Sequence, residues 1–135
     1  MYSPYIHIVN YYETDKMQVT HHSNYIRFME EARVDFLNQI GYGFEKLESD
    51  GIVSPVTAVS CDFKKPTTFA QKIQVQVVVK KCSTVKLTFE YIMKCDDDMV
   101  AIGTSSHCFL ENGKIIQLSE RYPDLYAKLK EIESL

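Results

Sequence analysis

The hydrophobic period changes once along the chain, and this change limits the folds open to it more than any other feature. Within residues 24–40 the apolar side chains recur every three or four positions, at Tyr25, Met29, Ala32, Phe36 and Ile40. That spacing predicts one helix with a continuous apolar face, and Gly41 is well placed to end it. From Val53 onward the period is two, which predicts strands. A long helix followed by consecutive strands favours an α+β domain with the helix packed on an antiparallel sheet.

Turn signals divide the period-two region into separate strands. A first strand, residues 5–12, precedes the helix, and the later predicted strands are residues 53–63, 72–82, 85–95, 99–110 and 114–118. The run Asp96-Asp97-Asp98 predicts a turn, and Asn112-Gly113 predicts a tight hairpin. Because such a sheet has open edges, edge-to-edge association of two copies is a natural outcome.

The length and composition point to one domain that spans residues 1–135, with an amphipathic C-terminal helix at about 120–134 as an appendage. A net charge of -3 and an isoelectric point near 5.8 argue against a general nucleic-acid partner. No apolar run approaches the ~20 residues of a membrane span. The N-terminal segment has no basic and then apolar secretion signal, so we expect a cytoplasmic protein.

The cysteines and histidines show no recognisable metal-binding spacing. Because no two cysteines form a C-x-x-C pair, we expect all four to be reduced structural thiols rather than zinc ligands or disulfides. His7 and His107 lie in predicted strands and are expected to be hydrogen-bonded packing residues. No metal or redox cofactor is implied.

Acid/base side chains flank the predicted start of the long helix. Asp15 follows the first strand, and His22 stands seven residues later, just before Ser23 and Asn24, which are good N-cap residues. The unpaired N–H groups and the positive end of the helix dipole could hold an oxyanion there. A carboxylate beside an oxyanion site is what acyl transfer requires. The segment therefore predicts an enzyme that acts on a carbonyl group.

Each candidate has a chemical role and a structural alternative. Asp15 would be the general base or the nucleophile, but a loop aspartate can instead bond its own backbone. His22 would orient water or the carbonyl group and supply its backbone N–H, or it could serve only near the cap. Tyr11 could bond Asp15 or the substrate, or be a packing ring. Glu31 is a weaker candidate base, because Arg27 can pair with it at i,i+4.

Two blocks of sequence resemble the 4-hydroxybenzoyl-CoA thioesterase-like branch of the hotdog-fold acyl-CoA thioesterases. The specific block covers residues 11–15 and 21–33, and a weaker block covers residues 62–69. The resemblance implies an antiparallel sheet wrapped around the helix at residues 24–40. It also implies a homodimer or homotetramer with active sites at the subunit interface. The family's catalytic aspartate matches Asp15, its helix N-terminal position matches His22, and an implicated tyrosine matches Tyr11.

The resemblance implies hydrolysis of an acyl-CoA thioester to the free acid and CoA, with CoA present as part of the substrate. Asn24 and Tyr25 at the helix start are assigned to substrate binding. Lys64 and Lys65 are assigned to the CoA phosphates, although the sequence does not rank them above other lysines. Two alternatives stay open: hydrolysis of acyl groups from an acyl carrier protein, and a non-catalytic protein that binds or senses acyl-CoA. The second is kept open by Met17-Gln18, where the family usually has glycine.

Overall fold

The structure, a computed structural model, describes residues 2–133. Its helices are α1 (Ser23–Gln39), α2 (Phe44–Ser49), α3 (Leu118–Arg121) and α4 (Pro123–Ile132). Its strands are β1 (Tyr5–Ile8), β2 (Ile52–Val53), β3 (Val56–Phe63), β4 (Lys72–Cys82), β5 (Leu87–Cys95), β6 (Asp98–His107), β7 (Leu110–Glu111) and β8 (Lys114–Ile115). Among residues 2–133, no helix combines the length and apolar character that crossing a bilayer requires.

The main sheet has five antiparallel strands in the order β1-β4-β5-β6-β3. Helix α1 packs across one face of this sheet, against β1, β4 and β3. Its inward side chains include Phe28, Met29 and Phe36, and they meet alternate residues of the central strands, such as Phe89 and Tyr91. The predicted α+β class, with an antiparallel sheet around one long helix, is confirmed.

The close approach of α1 to the sheet depends on a glycine in β6. A Cβ atom built on Gly103 would lie 2.6 Å from the sulfur of Met29 and 3.2 Å from the carbonyl oxygen of Ser60. A residue without a side chain therefore lets the helix and the edge of the sheet come together here.

Several predicted boundaries are wrong for reasons of backbone chemistry. The first strand ends at Ile8, and Tyr11 lies in a 3-10 turn instead. The predicted strand at 53–63 is divided at Ser54 and Pro55, since proline cannot donate to a ladder and restricts the residue before it. The predicted C-terminal helix is likewise two helices, because Pro123 begins a new one. Its predicted last residue, 134, lies outside the described residues.

The predicted N-caps are also wrong. Helix α1 already includes Ser23 and Asn24, and His22 is the N-cap residue, with no side-chain capping bond.

The predicted hairpins are confirmed, with Asp96, Asn112 and Gly113 in the left-handed conformation that tight turns use.

Strand β3 forms an edge of the main sheet and is mostly exposed. The side chains of Val56, Val59 and Phe63 keep 49%, 47% and 50% of their accessible surface. Apolar side chains along an unpaired edge are a ready surface for strand pairing with another chain.

A buried polar chain crosses the core from α1 to β6. Arg33 donates to the hydroxyl of Tyr91 at 3.3 Å, and that hydroxyl lies 2.7 Å from the hydroxyl of Ser105. Ser105 in turn lies 2.7 Å from Nε2 of His107. Burial, together with the nearby charge of Arg33, lowers the pKa of His107 from 6.5 to about 4. The ring is therefore neutral in the folded protein at neutral pH.

This arrangement predicts that acid destabilises the fold through His107. Between pH 6.5 and 4 the unfolded chain binds a proton at this histidine that the folded chain does not, so the free energy of unfolding falls as the pH falls. From pH 7 to pH 5 we expect a loss of about 2 kcal/mol from this group. Urea unfolding of the wild-type and His107→Gln proteins at both pH values measures it. Equal pH dependence in the two proteins would contradict the assignment.

Candidate active site

The segment between the 3-10 turn and α1 is a closed loop. Thr14 and Thr20 form an isolated antiparallel bridge across it. Within the loop the N–H of Asp15 donates to the carbonyl oxygen of Val19 at 2.9 Å, and the N–H of Gln18 donates to that of Asp15 at 2.9 Å. These bonds give Asp15 a defined backbone position beside the start of the helix.

Glu13 joins the base of this loop to α1. Its carbonyl oxygen accepts the N–H of His21 at 2.8 Å and the side-chain amide of Asn24 at 3.0 Å. The Asn24 side chain therefore contacts the loop, and it does not line the cavity described next. Its predicted role in substrate binding stays a prediction.

A cavity of about 420 Å³ lies between the loop, the start of α1 and the end of β3. Five of the seven residues assigned to the site from the sequence line it: Asp15, His22, Tyr25, Lys64 and Lys65. The cavity therefore brings together a carboxylate, a helix N-terminus and two cations from parts of the chain up to fifty positions apart.

Tyr11 lies in a neighbouring groove rather than in this cavity. The groove, of about 1160 Å³, is lined by the same loop and also includes Asp15. Tyr11 is 76% exposed and packs edge-on against Phe69, with ring centroids 5.7 Å apart. Asp15 thus borders both cavities, whereas Tyr11 and His22 each line a different one.

The carboxylate of Asp15 is half-buried and held by its own loop. Oδ1 accepts the N–H of Met17 at 2.8 Å. This is the bond to its own backbone that was expected of a loop aspartate without a catalytic role. Among residues 2–133, no donor bonds the second oxygen, Oδ2. One oxygen therefore orients the group while the other can accept a proton.

The start of α1 presents an unused backbone donor. The N–H groups of Ser23, Asn24 and Tyr25 each have an acceptor, respectively the Nδ1 atom of His21 and the carbonyl oxygens of His21 and His22. The backbone N–H of His22 has none within the part of the chain that the structure describes. Because it stands at the positive end of the helix, it can bind a developing oxyanion.

Tyr25 and Phe63 form an aromatic wall of the cavity. Their rings meet edge-to-face with centroids 5.3 Å apart. Burial raises the pKa of Tyr25, and its hydroxyl lies 2.8 Å from that of Thr67. Tyr25 is therefore a neutral wall residue rather than an acid/base group. Phe63 and Thr67 were not predicted as site residues, although both lie in the weaker block of resemblance at residues 62–69.

The structure separates the candidate lysines. Lys64 and Lys65 follow β3 directly, and both N–H groups donate to the carbonyl oxygen of Val100. The ammonium of Lys65 lies 3.2 Å from Asp98, an exposed ion pair that contributes little. Lys80 lies away from the cavity and pairs with Glu90 at 3.1 Å.

The other acidic candidate, Glu31, and the four cysteines do not line the cavity. The expected pairing of Glu31 with Arg27 is wrong: Glu31 instead accepts from Tyr5 at 2.8 Å and contacts His7 at 3.1 Å. All four cysteines are free thiols. Burial raises the pKa of Cys61 to about 11, so this thiol is protonated and a poor nucleophile at neutral pH. Among the described residues, no group of three or more potential metal ligands occurs.

The loop keeps a glycine-like conformation without glycine. Gln18 has a φ of 66°, in the left-handed region that costs a residue with a side chain roughly 1–2 kcal/mol. The family usually has glycine where this chain has Met17-Gln18. The loop keeps its left-handed turn without glycine, but its backbone is more strained.

Replacing Gln18 by glycine should stabilise the protein. The relieved strain exceeds the extra entropy that glycine gives the unfolded chain, so we expect a net gain of about 0.5 kcal/mol. Chemical denaturation of the wild-type and Gln18→Gly proteins measures it. Met17→Gly is a control, because the adjacent Met17 is 76% exposed and is not among the residues with positive φ. A gain at both positions, or at neither, would contradict the strain argument.

Comparison with known proteins supports a single family. The model of the thioesterase-like superfamily matches residues 9–129. An Aquifex aeolicus protein named "Putative esterase" is 36% identical over 82% of this chain and 86% of its own. A Bacillus subtilis protein named "Putative acyl-CoA thioesterase YneP" is 30% identical over 86% of each chain. The crystal structure of a DHNA-CoA thioesterase from Staphylococcus aureus, 29% identical, superposes with a TM-score of 0.90 over 96% of this chain and 91% of its own.

The chain belongs to the thioesterase-like superfamily and has the hotdog fold. It is a thioester hydrolase.

Proposed function

We propose that the protein hydrolyses acyl-CoA thioesters, with Asp15 as general base or nucleophile and the start of α1 as the oxyanion site. The observation that carries this proposal is one shared cavity. It contains the Asp15 carboxylate and the His22 residue whose backbone N–H has no acceptor within residues 2–133. The relatives named for acyl-CoA and DHNA-CoA thioesterases support the same substrate class.

The reaction needs few groups because the thiolate of CoA leaves readily. The thioester carbonyl oxygen accepts the N–H of His22, which stabilises the tetrahedral oxyanion by about 3 kcal/mol. Asp15 takes a proton from the attacking water, and the intermediate collapses to the acid and the CoA thiolate. In the nucleophilic variant, Asp15 attacks the carbonyl carbon to form an anhydride, which water then hydrolyses. The imidazole of His22 orients the water or the carbonyl group.

Different walls of the cavity would bind different parts of the substrate. Tyr25 and Phe63 offer an apolar surface for the acyl group beside the carbonyl site. Lys64 and Lys65, at the end of β3, are the cations available there for the CoA phosphates. The same two lysines would also suit an acidic acyl carrier protein, so this alternative is kept as an outcome of the assay.

We further propose that two copies of the chain pair along β3. The exposed apolar edge ends at Phe63, which itself lines the cavity. A second copy bound to this edge would cover Val56 and Val59. It would also form an additional wall of the cavity. The active site would then lie at the interface of a homodimer, alone or within a homotetramer.

Asp15→Asn should abolish turnover while leaving substrate binding largely intact. The amide cannot take the proton or act as a nucleophile, so we expect kcat to fall at least about 1000-fold with a small change in KM. The measurement is thiol release from a panel of aliphatic and aromatic acyl-CoAs. Asp97→Asn, in the exposed β5–β6 turn, is the matched control and should retain full activity.

The same assay discriminates the alternatives when it also includes acyl groups on an acyl carrier protein and a measurement of acyl-CoA binding. Preference for acyl groups on a carrier protein would support the carrier-protein hydrolase. Tight binding of acyl-CoA to the wild-type protein without turnover would support the sensor. Full activity in Asp15→Asn would refute the assigned role of this residue.

The edge-pairing proposal predicts that Val59→Lys disrupts the oligomer. A lysine on β3 brings like charges together across the new interface, so we expect a shift from dimer or tetramer towards monomer and a loss of activity. Val85→Lys places the same charge at an exposed valine outside β3 and should change neither property. Sedimentation velocity with activity assays measures both. A monomeric and fully active wild-type protein would contradict edge pairing.

A further inference from the structure

A buried histidine outside the cavity lies between two carboxylates. His7, on β1, is 7% exposed, and its ring packs against Phe28 of α1 with centroids 4.0 Å apart. Its Nε2 atom lies 2.8 Å from Oε1 of Glu13, and its Nδ1 atom lies 3.1 Å from Oε1 of Glu31. The two carboxylates differ, because the Glu13 side chain is 6% exposed and that of Glu31 is 41% exposed.

Glu13 connects this histidine to the catalytic loop. Its side chain accepts from His7 and from the N–H of Asn10 at 2.7 Å. Its carbonyl oxygen accepts the N–H of His21 and the amide of Asn24, as described above. One residue thus ties β1 and the 3-10 turn to the start of α1.

Glu13 also stands between the two groups that the reaction must align. Asp15 is two residues further along the chain, and His22 directly follows the His21 that Glu13 binds. A shift of the Glu13 backbone would therefore change the position of the carboxylate relative to the oxyanion donor. Catalysis is sensitive to such shifts, since misplacement by about 1 Å can reduce the rate 100-fold.

We propose that the His7–Glu13 pair positions the catalytic loop, and so sets the rate of the chemical step rather than substrate affinity. His7 holds the Glu13 carboxylate in the core, where an unpaired charge would be costly. Glu13 in turn holds Asp15 and His22 in register. Both are positioning residues, because neither lines the cavity. The inference rests on the proposed function for its effect on turnover, but its structural part does not.

Glu13→Ala tests the pair, with Glu31→Gln as the matched control. Glu13→Ala should lower kcat at least about tenfold while KM stays within about twofold, because the acyl-CoA contacts are untouched. Glu13→Gln keeps an oxygen that can accept from His7 and Asn10, and should restore most of the lost activity. Glu31→Gln alters the other partner of His7 without touching the loop, and should leave kcat within about twofold of wild type.

Amide hydrogen exchange gives a readout that needs no activity. In Glu13→Ala the N–H groups of Asp15 and His21, which close the loop by bonding Val19 and residue 13, should lose protection while the amides of β5 and β6 keep theirs. Should Glu13→Ala fail to fold, His7→Gln is read by the same two measurements, with the same direction expected.

Each result decides a different question. A folded Glu13→Ala protein with wild-type kcat and wild-type loop protection would overturn the positioning role. So would an equal loss of kcat in Glu31→Gln, or loss of protection spread evenly over the sheet. A wild-type protein that hydrolyses none of the thioesters would refute the proposed function instead, and the exchange pattern would still decide whether Glu13 holds the loop.

Discussion

The burial of one face of α1 on the antiparallel sheet is the interaction on which the rest of the structure depends. Each large apolar side chain placed in this interface, such as Phe28 or Met29, contributes roughly 2 kcal/mol. The packing also determines where the helix begins, because β3, β4 and β1 limit its position on the sheet. The start of α1 is therefore supported by the core, and an oxyanion site requires a donor whose position is set in advance in this way.

The active site follows from this packing and from one loop that closes on itself. Backbone bonds within residues 14–20 leave Asp15 little freedom, and the base of the loop is tied to α1 through Glu13. The far wall comes from the end of β3, which runs into Lys64 and Lys65. The chemistry assigned to this cavity is thus assembled from a loop, a helix end and a strand end, each supported by the core.

The sequence was sufficient for the fold and for five of the ten residues that line the cavity. Periods of 3.6 and 2 survive in the sequence because each element buries one face, so the helix and the strands could be predicted. Asp15, His22 and Tyr25 could be placed near one another because they are close in the chain. The roles of Phe63 and Thr67 could not be predicted, since they depend on contacts between distant segments. Glu13 contacts residues within 11 positions of itself, but irregular turns bring them together, and such turns have no hydrophobic period. The predicted partner of Glu31 was wrong because a tertiary contact was not foreseen. Glu31 contacts His7 rather than pairing with Arg27 one helical turn away.

Asp15 borders both the smaller cavity that His22 lines and the larger groove that Tyr11 lines. Under the proposed mechanism, the carboxylate would contact the thioester in the cavity and water in the groove. Water could then reach Asp15 from the groove without passing the acyl group. Delivery of the attacking water and binding of the acyl group would then use two different cavities that meet at one short loop.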